Sequence, residues 1–583
     1  MSLPRSLPYP LRGLRRQWRN GSRGLATIQG QTSFGEETDV LVIGSGAGGL
    51  VASLRAKTKG LNVIVAEKCK TIGGSSVMSG GALWIPVNPL ARAAGIHDDR
   101  ESVLKYFEQA VGDVGPASSI ARRRAFVDNA ARMMDFLQSL GFRFLLAKDY
   151  PDYYPWLEGA IPGGRSVESE LFDTRKLGDW QKLMPPPNIP LAFLMQDSGT
   201  LTRMASSPST MAQSLYKIIP TMARNMLGQK LTGMGRALVA QLLYLNRELK
   251  ADIRTENSLV EFIQSPDGVI VGAEFNTPAG LRAIHAKRGI LLATGGFAHN
   301  LAMRQQHLPA PVSTEWSSSH RGDTGDGIRA GMRIGAATAL LDDAWWGPTI
   351  FDPVTGQLVF TLLERARPYC IIVDSMGSRF MNEAQSYTDA GHAMYARNRE
   401  VGTIPAWFVM DANHRKRYQL GSLFARMEPP KHALVEGRMF KAETIEDLAA
   451  QIGINPDGLA NTVSRYNEMS RKGIDEDFGK GDNVYNNYFG DPAVGPNCNM
   501  GPLEKAPFYA VPIWPGDLGT KGGLLADEFQ RVIKEDGSVI QGLYACGNTA
   551  ASIMGRAYLG AGATLGPATT HAFIAVNHMV DAS

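Results

Sequence analysis

Short unbroken apolar runs, each closed by a glycine turn or an acid, alternate along this chain with longer stretches whose apolar positions recur every three or four residues. Residues 39–43 form one such run, ending at Gly44, and the segment LVASLRAK at 50–57 then has helical character. Residues 62–66 form a second run that ends in Glu67. Continuous apolar runs of this length read as strands covered on both faces, and strand–turn–helix–strand is the opening of a doubly wound α/β unit. Residues 97–140 read as helical, with Met133, Phe136, Leu137 and Leu140 at core spacing. Residues 255–278 read as a strand pair about the turn Pro266-Asp267-Gly268, and 289–297 as a strand and glycine turn returning to the first sheet. Beyond these, 321–336 is a glycine turn opening a helix, 443–472 is largely helix, 475–481 is a turn, 542–545 is a last strand, and a helix covers about 564–580. The expected fold is α/β. A Rossmann-like nucleotide-binding domain is built discontinuously from 36–300 and 515–583, with an α+β catalytic domain inserted at 301–514. No internal repeat is visible.

Two stretches stand outside this alternation. Residues 148–164, KDYPDYYPWLEGAIPGG, place Tyr150, Tyr153, Tyr154 and Trp156 among prolines and glycines. Proline disfavours helix there, so the rings are expected to line a cavity or cap an apolar surface. Between Asp197 and Glu248 there is no acid, while Arg203, Lys217, Arg224, Lys230, Arg236 and Arg247 are interleaved with Met and Leu. A basic amphipathic stretch of this kind reads either as an ordinary solvated surface helix or as a peripheral contact with an anionic membrane over 198–247.

Composition narrows the class. With 583 residues the chain exceeds one compact core, and 44% hydrophobic with 20% charged content is that of a globular protein. A formal net charge of +4 with no aromatic–basic array gives no reason to expect nucleic acid as a partner. Cys69, Cys370, Cys498 and Cys546 are scattered, so neither a disulfide framework nor a metal site is expected. Residues 1–35 carry Arg5, Arg12, Arg15, Arg16, Arg19 and Arg23 and no acid. That composition reads as a mitochondrial transit peptide, or as a disordered basic tail on a cytoplasmic protein.

The chemistry begins at Gly44, Gly46 and Gly49, a GxGxxG between strand and helix. The first glycine makes the turn, the second lets backbone approach a pyrophosphate, and the third lets helix and strand pack closely. Glu67, at the tip of the second strand, can accept hydrogen bonds from ribose hydroxyls. The loop TIGGSSVMSGGALWIP at 71–86 has two glycine pairs and three serines, a composition suited to backbone lying against a ligand.

Taken together, VIGSGAGGLVA, GGSSVMSGGALWIP, LLATGGF, TGDGIRA and GLYACGN resemble the fumarate reductase-like flavoproteins. Within them, RFMNEAQSY, PGDLGTKGGL and MGRAYLGAGATLGPA resemble the 3-ketosteroid dehydrogenases, and the likeness runs from about 39 to 579. The resemblance implies noncovalent FAD, since no histidine occurs in 73–86 to attach it. FAD would be held by Gly44, Ser45, Gly46, Ala47, Gly48 and Gly49, by Glu67 and Lys68, and by Gly74, Ser75, Ser76, Gly80 and Gly81. Ala293, Thr294 and Gly295, Asp326, Gly547, Asn548 and Leu565 would complete its site. The C-terminal helix would point its N-terminus at the flavin.

It also implies catalytic roles for Tyr153, Tyr387, Tyr558 and the Gly562 amide. Tyr558 and the Gly562 N–H would bind the C3 ketone of a steroid, Tyr387 would take the C2 proton, and C1 would deliver hydride to flavin N5. A tyrosine hydroxyl has an ordinary pKa of about 10, so Tyr387 would need a neighbouring donor, and Tyr153 could be that donor. Tyr154 competes for the same role. The family turn is altered here, with Leu559 in place of proline and Ala561 in place of glycine. The reduced cofactor requires a separate electron acceptor. Two other readings stand beside this one: reduction of an unsaturated acid, which would draw on Arg379 or Arg556, and a non-catalytic FAD- and lipid-binding flavoprotein.

Overall fold

A computed structural model describes residues 34–187 and 191–582. The arginine-rich presequence therefore lies outside the described residues, apart from its last two positions. Strand β1 (Glu36–Ile43) leads into helix α1 (Ala47–Thr58) and strand β2 (Val63–Ala66). Val40 and Val42 of β1 pack with Ala52 and Ala56 of α1, while Leu41 and Ile43 pack on the opposite side with Phe275, Ile290 and Phe297. Both faces of β1 are thus covered, which is why it reads as an unbroken apolar run.

The loop at 71–86 is more ordered than its composition suggests. It contains helix α2 (Gly74–Met78) and strand β3 (Leu83–Trp84). The helical region after it divides into α3 (Arg100–Val111) and α4 (Ile120–Ser139), because Gly112 turns to φ 65°. Strand β4 (Ser166–Ser169) pairs with β3. The acid-free stretch forms two long helices, α5 (Pro208–Met226) and α6 (Met234–Glu248), of opposite character. Helix α6 is buried along most of its length, whereas α5 buries only Thr210, Ser214 and Thr221.

Strands β5 (Asp252–Arg254), β6 (Ser258–Gln264), β7 (Ile270–Thr277) and β8 (Gly280–Leu292) follow. Strand β8 starts earlier than its apolar pattern indicates. Its first half pairs antiparallel with β7, and it lies parallel to β1 from Ile284 to Leu292. Helix α7 (Asp326–Arg333) opens from the glycine turn at 325.

The intervening region builds an antiparallel four-stranded sheet. Its strands are β9 (Cys370–Val373), β10 (Ala406–Met410), β11 (Phe440–Ala442) and β12 (Phe508–Ile513), in the order β9-β10-β12-β11. Helix α8 (Tyr387–Val401) connects β9 to β10. The stretch at 443–472 is two helices, Ile445–Ile452 and Pro456–Lys472, separated by a left-handed Gly453. Strands β13 (Arg531–Ile533) and β14 (Val539–Ala545) then return to the first sheet, whose main path is β13-β14-β8-β1-β2-β5. Helix α9 (Leu565–Asp581) closes the chain and packs against α1.

Gly49 has a purely architectural part in this frame. A Cβ there would lie 2.0 Å from the Gly44 carbonyl oxygen, so only glycine lets α1 sit this close to β1. Gly49→Ala is expected to destabilise the protein by about 1–3 kcal/mol through forced displacement of α1. Chemical denaturation would measure it, and a midpoint equal to that of the unaltered protein would contradict the packing argument.

Candidate active site and cofactor cleft

A cavity of ≈ 470 Å³ runs from the carboxyl ends of β1 and β2 to the aromatic loop at 150–154. Its nucleotide end is the crevice where a doubly wound sheet binds ligands. Gly44, Ser45, Gly46, Ala47, Gly48, Glu67 and Lys68 line it, as do Gly74, Ser75, Ser76, Gly80 and Gly81. Ala293, Thr294, Gly295, Asp326, Gly547, Asn548 and Leu565 complete that part of the wall. Gly49 is not on it.

The cleft suits a dinucleotide on three counts. Gly46 caps α1 with no side-chain bond, and the first turn of α1 carries no acid, leaving that end open to an anion. A Cβ at Gly46 would project into the cradle, meeting only Ser76 Oγ at 3.4 Å. Glu67, 8% exposed, is oriented by three donors: Ser45 Oγ at 2.6 Å and Ser45 N at 3.0 Å to Oε2, and Cys69 N at 2.8 Å to Oε1. An ionised carboxylate has about four acceptor positions, so one on Oε1 is left for a ribose hydroxyl.

The two acids of RGDTGDG have different roles. Asp326 is engaged by Lys68, whose Nζ lies 2.5 Å away. Burial pushes its carboxyl up, but Lys68 and the hydrogen bonds from Thr324 and Arg329 together more than offset this and hold it below the usual range. Asp323, which sequence reading passed over, is the buried one. It accepts from Ser75 Oγ at 2.7 Å, and burial raises it to about 7. His320, Cys69 and Asn257 also line this end of the cavity. The repeated Asp in RGDTGDG was the one signal that pointed to Asp323.

At the other end three tyrosines from distant parts of the chain meet. Tyr153 and Tyr387 have hydroxyls 3.5 Å apart, with Tyr153 donating. The ring centroids of Tyr387 and Tyr558 are 4.7 Å apart, and those of Tyr153 and Tyr558 are 5.2 Å apart. Tyr387 is the first residue of α8, and Tyr558 lies on the turn before α9. Gly562, at φ 92°, packs so tightly on β3 that a Cβ would lie 2.5 Å from the Ala82 carbonyl. Tyr150, Tyr485 and Trp345 surround the cluster: Tyr150 and Tyr153 have hydroxyls 3.4 Å apart, Tyr485 meets the Tyr153 ring at 4.4 Å with a tilt of 44°, and Trp345 meets the Tyr558 ring at 5.3 Å.

The two candidates in the aromatic loop separate cleanly. Tyr153 directs its hydroxyl at Tyr387 in the cavity. Tyr154 points the other way, accepting from the Tyr558 backbone N–H at 3.2 Å and donating to Asp389 at 3.3 Å. Trp156, 63% exposed, packs edge-on against Tyr154 at 5.8 Å and does not line the cavity.

Burial works against the expected activation of Tyr387. The hydrogen bond from Tyr153 is present and lowers its pKa, but burial acts the other way and is larger. Tyr387 and Tyr153 both stand well above the ordinary value. Tyr558 is also raised by burial, opposed by hydrogen bonds from Tyr387, Thr564 and the Gly562 N–H. All three are therefore neutral phenols near neutral pH.

Arg379 and Arg556 are elsewhere. Arg379 is buried between Glu383 and Asp475, each at 2.8 Å, and Arg556 pairs with Asp342 at 2.7 Å. Among the described residues no arginine lines the cavity. A dicarboxylate would find no guanidinium there, which removes the reading as an unsaturated-acid reductase.

Comparison with known proteins agrees with this geometry. The family model described as FAD binding domain matches residues 39–565. A 3-oxosteroid 1-dehydrogenase of Mycolicibacterium smegmatis is 40% identical over 556 residues, covering 93% of this chain and 97% of its own. A 4-oxocyclohexanecarboxylate 2-dehydrogenase of Sinomonas cyclohexanicum is 36% identical, with 92% of each covered. The crystal structure of 3-ketosteroid delta1-dehydrogenase from Sterolibacterium denitrificans, in complex with 1,4-androstadiene-3,17-dione, superposes with a TM-score of 0.89 at 36% identity, over 94% of this chain and 100% of that one. On the match to residues 39–565 and a cleft built to hold its cofactor, the protein belongs to the FAD-binding-domain family of flavoprotein oxidoreductases.

Proposed function

We propose that this protein dehydrogenates a ring ketone, with a 3-ketosteroid as substrate and C1 and C2 as the carbons that become doubly bonded. One observation carries the reading: Tyr153, Tyr387, Tyr558 and Gly562 converge at one end of a cavity whose other end is the FAD cleft. The names of the M. smegmatis and S. denitrificans relatives support the steroid, and that of the S. cyclohexanicum relative supports a ring ketone in general. The Tyr558 hydroxyl and the Gly562 N–H bind the ketone oxygen and stabilise charge that develops there as C2 loses its proton. Tyr387 receives that proton. It does so in its minor phenolate form, which the hydrogen bond donated by Tyr153 stabilises. Bound FAD supplies the acceptor for the hydride leaving C1. The surrounding aromatic rings exclude water from the developing enolate.

Anaerobic addition of testosterone is expected to bleach the oxidised-flavin absorbance with one dehydrogenated steroid per flavin. Tyr558→Phe should keep the flavin but slow bleaching at least about 100-fold, the scale of losing one oxyanion donor. Bleaching at the normal rate in that variant would remove Tyr558 from the mechanism. The rate should also rise with pH from about 6 to about 9 without levelling, because burial moves Tyr387 upward and its proton-accepting form gains population as pH rises. A plateau reached below neutral pH would assign the base to another group.

The same reading includes an anionic membrane as a partner. Helix α5 is amphipathic in the reverse sense to a surface helix. Thr210, Ser214 and Thr221 face the protein, while Met211, Leu215, Ile219, Met222 and Met226 recur along the solvent face. The 81% exposed Tyr216 flanks this stripe, and Arg224 and Lys230 add positive charge in a stretch with no acid from 198 to 247. Among the described residues no helix is long and apolar enough to cross a membrane, so the contact is in-plane. Met195 and Ser198, in the segment that leads to this helix, line the cavity. The protein should float with vesicles containing phosphatidylglycerol, and Ile219→Asp with Met222→Asp should release it. Equal partition of both forms, or a dimer that those changes dissolve, would overturn the membrane reading.

A further inference from the structure

The catalytic tyrosines belong to chain segments far apart in sequence, and the structure holds one small polar bridge between them. Tyr558 follows the last strand of the cofactor sheet, and Tyr387 opens α8. The hydroxyl of Tyr154 accepts from the backbone N–H of Tyr558 at 3.2 Å and donates to Asp389 at 3.3 Å. Asp389 is two residues beyond Tyr387 in the first turn of the same helix. One buried hydroxyl therefore touches the backbone that carries the ketone-binding tyrosine and a side chain of the helix that carries the base.

The rest of the turn is held in the same way. The Leu559 carbonyl accepts from the Tyr106 hydroxyl at 2.8 Å and from Tyr153 N at 3.0 Å, and the Tyr154 N–H donates to the Tyr106 hydroxyl at 3.2 Å. A proline at 559 would fix φ by its own ring. Leucine does not, so the conformation at 558–559 rests on these outside donors and acceptors. Tyr154 is 8% exposed and Tyr106 is fully buried, so no water competes for the bonds.

We infer that Tyr154, through Asp389, is the positioning residue that keeps Tyr558 and Tyr387 in register across the site. The role rests on the ketone-dehydrogenase reading proposed above. Neither residue meets the reacting carbons. Their effect is on the alignment of the ketone-binding hydroxyl with the proton acceptor, to which proton transfer is sensitive at the ångström scale. Binding of an apolar steroid depends mainly on the walls of the cavity, which Tyr154 does not line. The signature is thus a loss in rate with little loss in affinity.

Tyr154→Phe keeps the ring and removes both hydrogen bonds. With testosterone as probe, its anaerobic flavin reduction should slow about 10- to 100-fold, while the steroid concentration for half-maximal rate stays within about threefold. Exchange of the C2 hydrogen into deuterium oxide, followed on enzyme kept fully reduced so that no hydride can leave, should slow by the same factor. Flavin content and visible spectrum should match the unaltered protein. Asp389→Asn, which retains an acceptor oxygen for Tyr154, should stay within about threefold of normal, and Asp389→Ala should fall with Tyr154→Phe. The double variant Tyr154→Phe with Asp389→Ala should be no slower than Tyr154→Phe alone, because both changes break one bridge. Normal rates in Tyr154→Phe, losses that multiply in the double variant, or a loss confined to affinity would overturn the positioning role. An unaltered protein that testosterone does not reduce would remove the ketone reading itself, and this role with it.

Discussion

The catalytic end of the molecule depends on how closely the turn at 558–566 packs against Trp84. Trp84 is fully buried, and three glycines of that turn lie against it or its neighbours at distances no side chain permits. A Cβ at Gly560 would be 2.5 Å from the indole Cδ1, at Gly566 2.3 Å from the Trp84 carbonyl oxygen, and at Gly562 2.5 Å from Ala82. The Trp84 N–H donates to the Gly562 carbonyl at 3.1 Å, and the indole N–H donates to Asp152 at 2.9 Å. Asp152 immediately precedes Tyr153 and is bound by the buried Arg165 at 2.6 Å, which also pairs with Asp98. One tryptophan thus ties the turn that carries Tyr558, the aromatic loop and a buried ion pair into one unit. Breaking such a pair on one side leaves a buried charge without a partner, a far larger penalty than losing a surface pair.

Burial has two consequences at this unit. It strengthens every hydrogen bond aimed at a developing oxyanion, because no solvent screens it. It also raises the tyrosine pKa values, so the hydroxyls remain protonated near neutral pH. In the proposed mechanism, the desolvation that would strengthen the contacts of Tyr558 and Gly562 with the ketone also makes Tyr387 a reluctant base. The hydrogen bond that Tyr153 donates to Tyr387 works against this, since it favours the ionised form of the ring that accepts it.

Away from the site, charge and apolar surface are managed in contrasting ways. The region of the four-stranded antiparallel sheet buries Arg379, Glu383, Asp475 and Lys480 as a mutually satisfied network, so cations that could have marked an anion site are structural. Helix α5 exposes its apolar side and turns its small polar residues inward. An exposed apolar stripe of this kind marks an interaction surface.

The sequence by itself determined what depends on local backbone geometry. Glycines at 44, 46 and 49 between an apolar run and a helical stretch specify a nucleotide-binding turn, and a cluster of motifs from 39 to 568 specifies the flavoprotein family. Those features are short-range: a positive φ, a missing Cβ, a strand covered on both sides. Tertiary structure decided what depends on distant neighbours. Asp323 and Asp326 look equivalent in RGDTGDG, and only the approach of Lys68 and Ser75 separates them. Tyr153 and Tyr154 are adjacent in the chain, but one faces Tyr387 and the other Asp389. The acid-free stretch at 198–247 forms one buried and one exposed helix, because its halves meet different surroundings. The acidity of Tyr387 is set by desolvation, which belongs to the assembled cavity and to no residue in it.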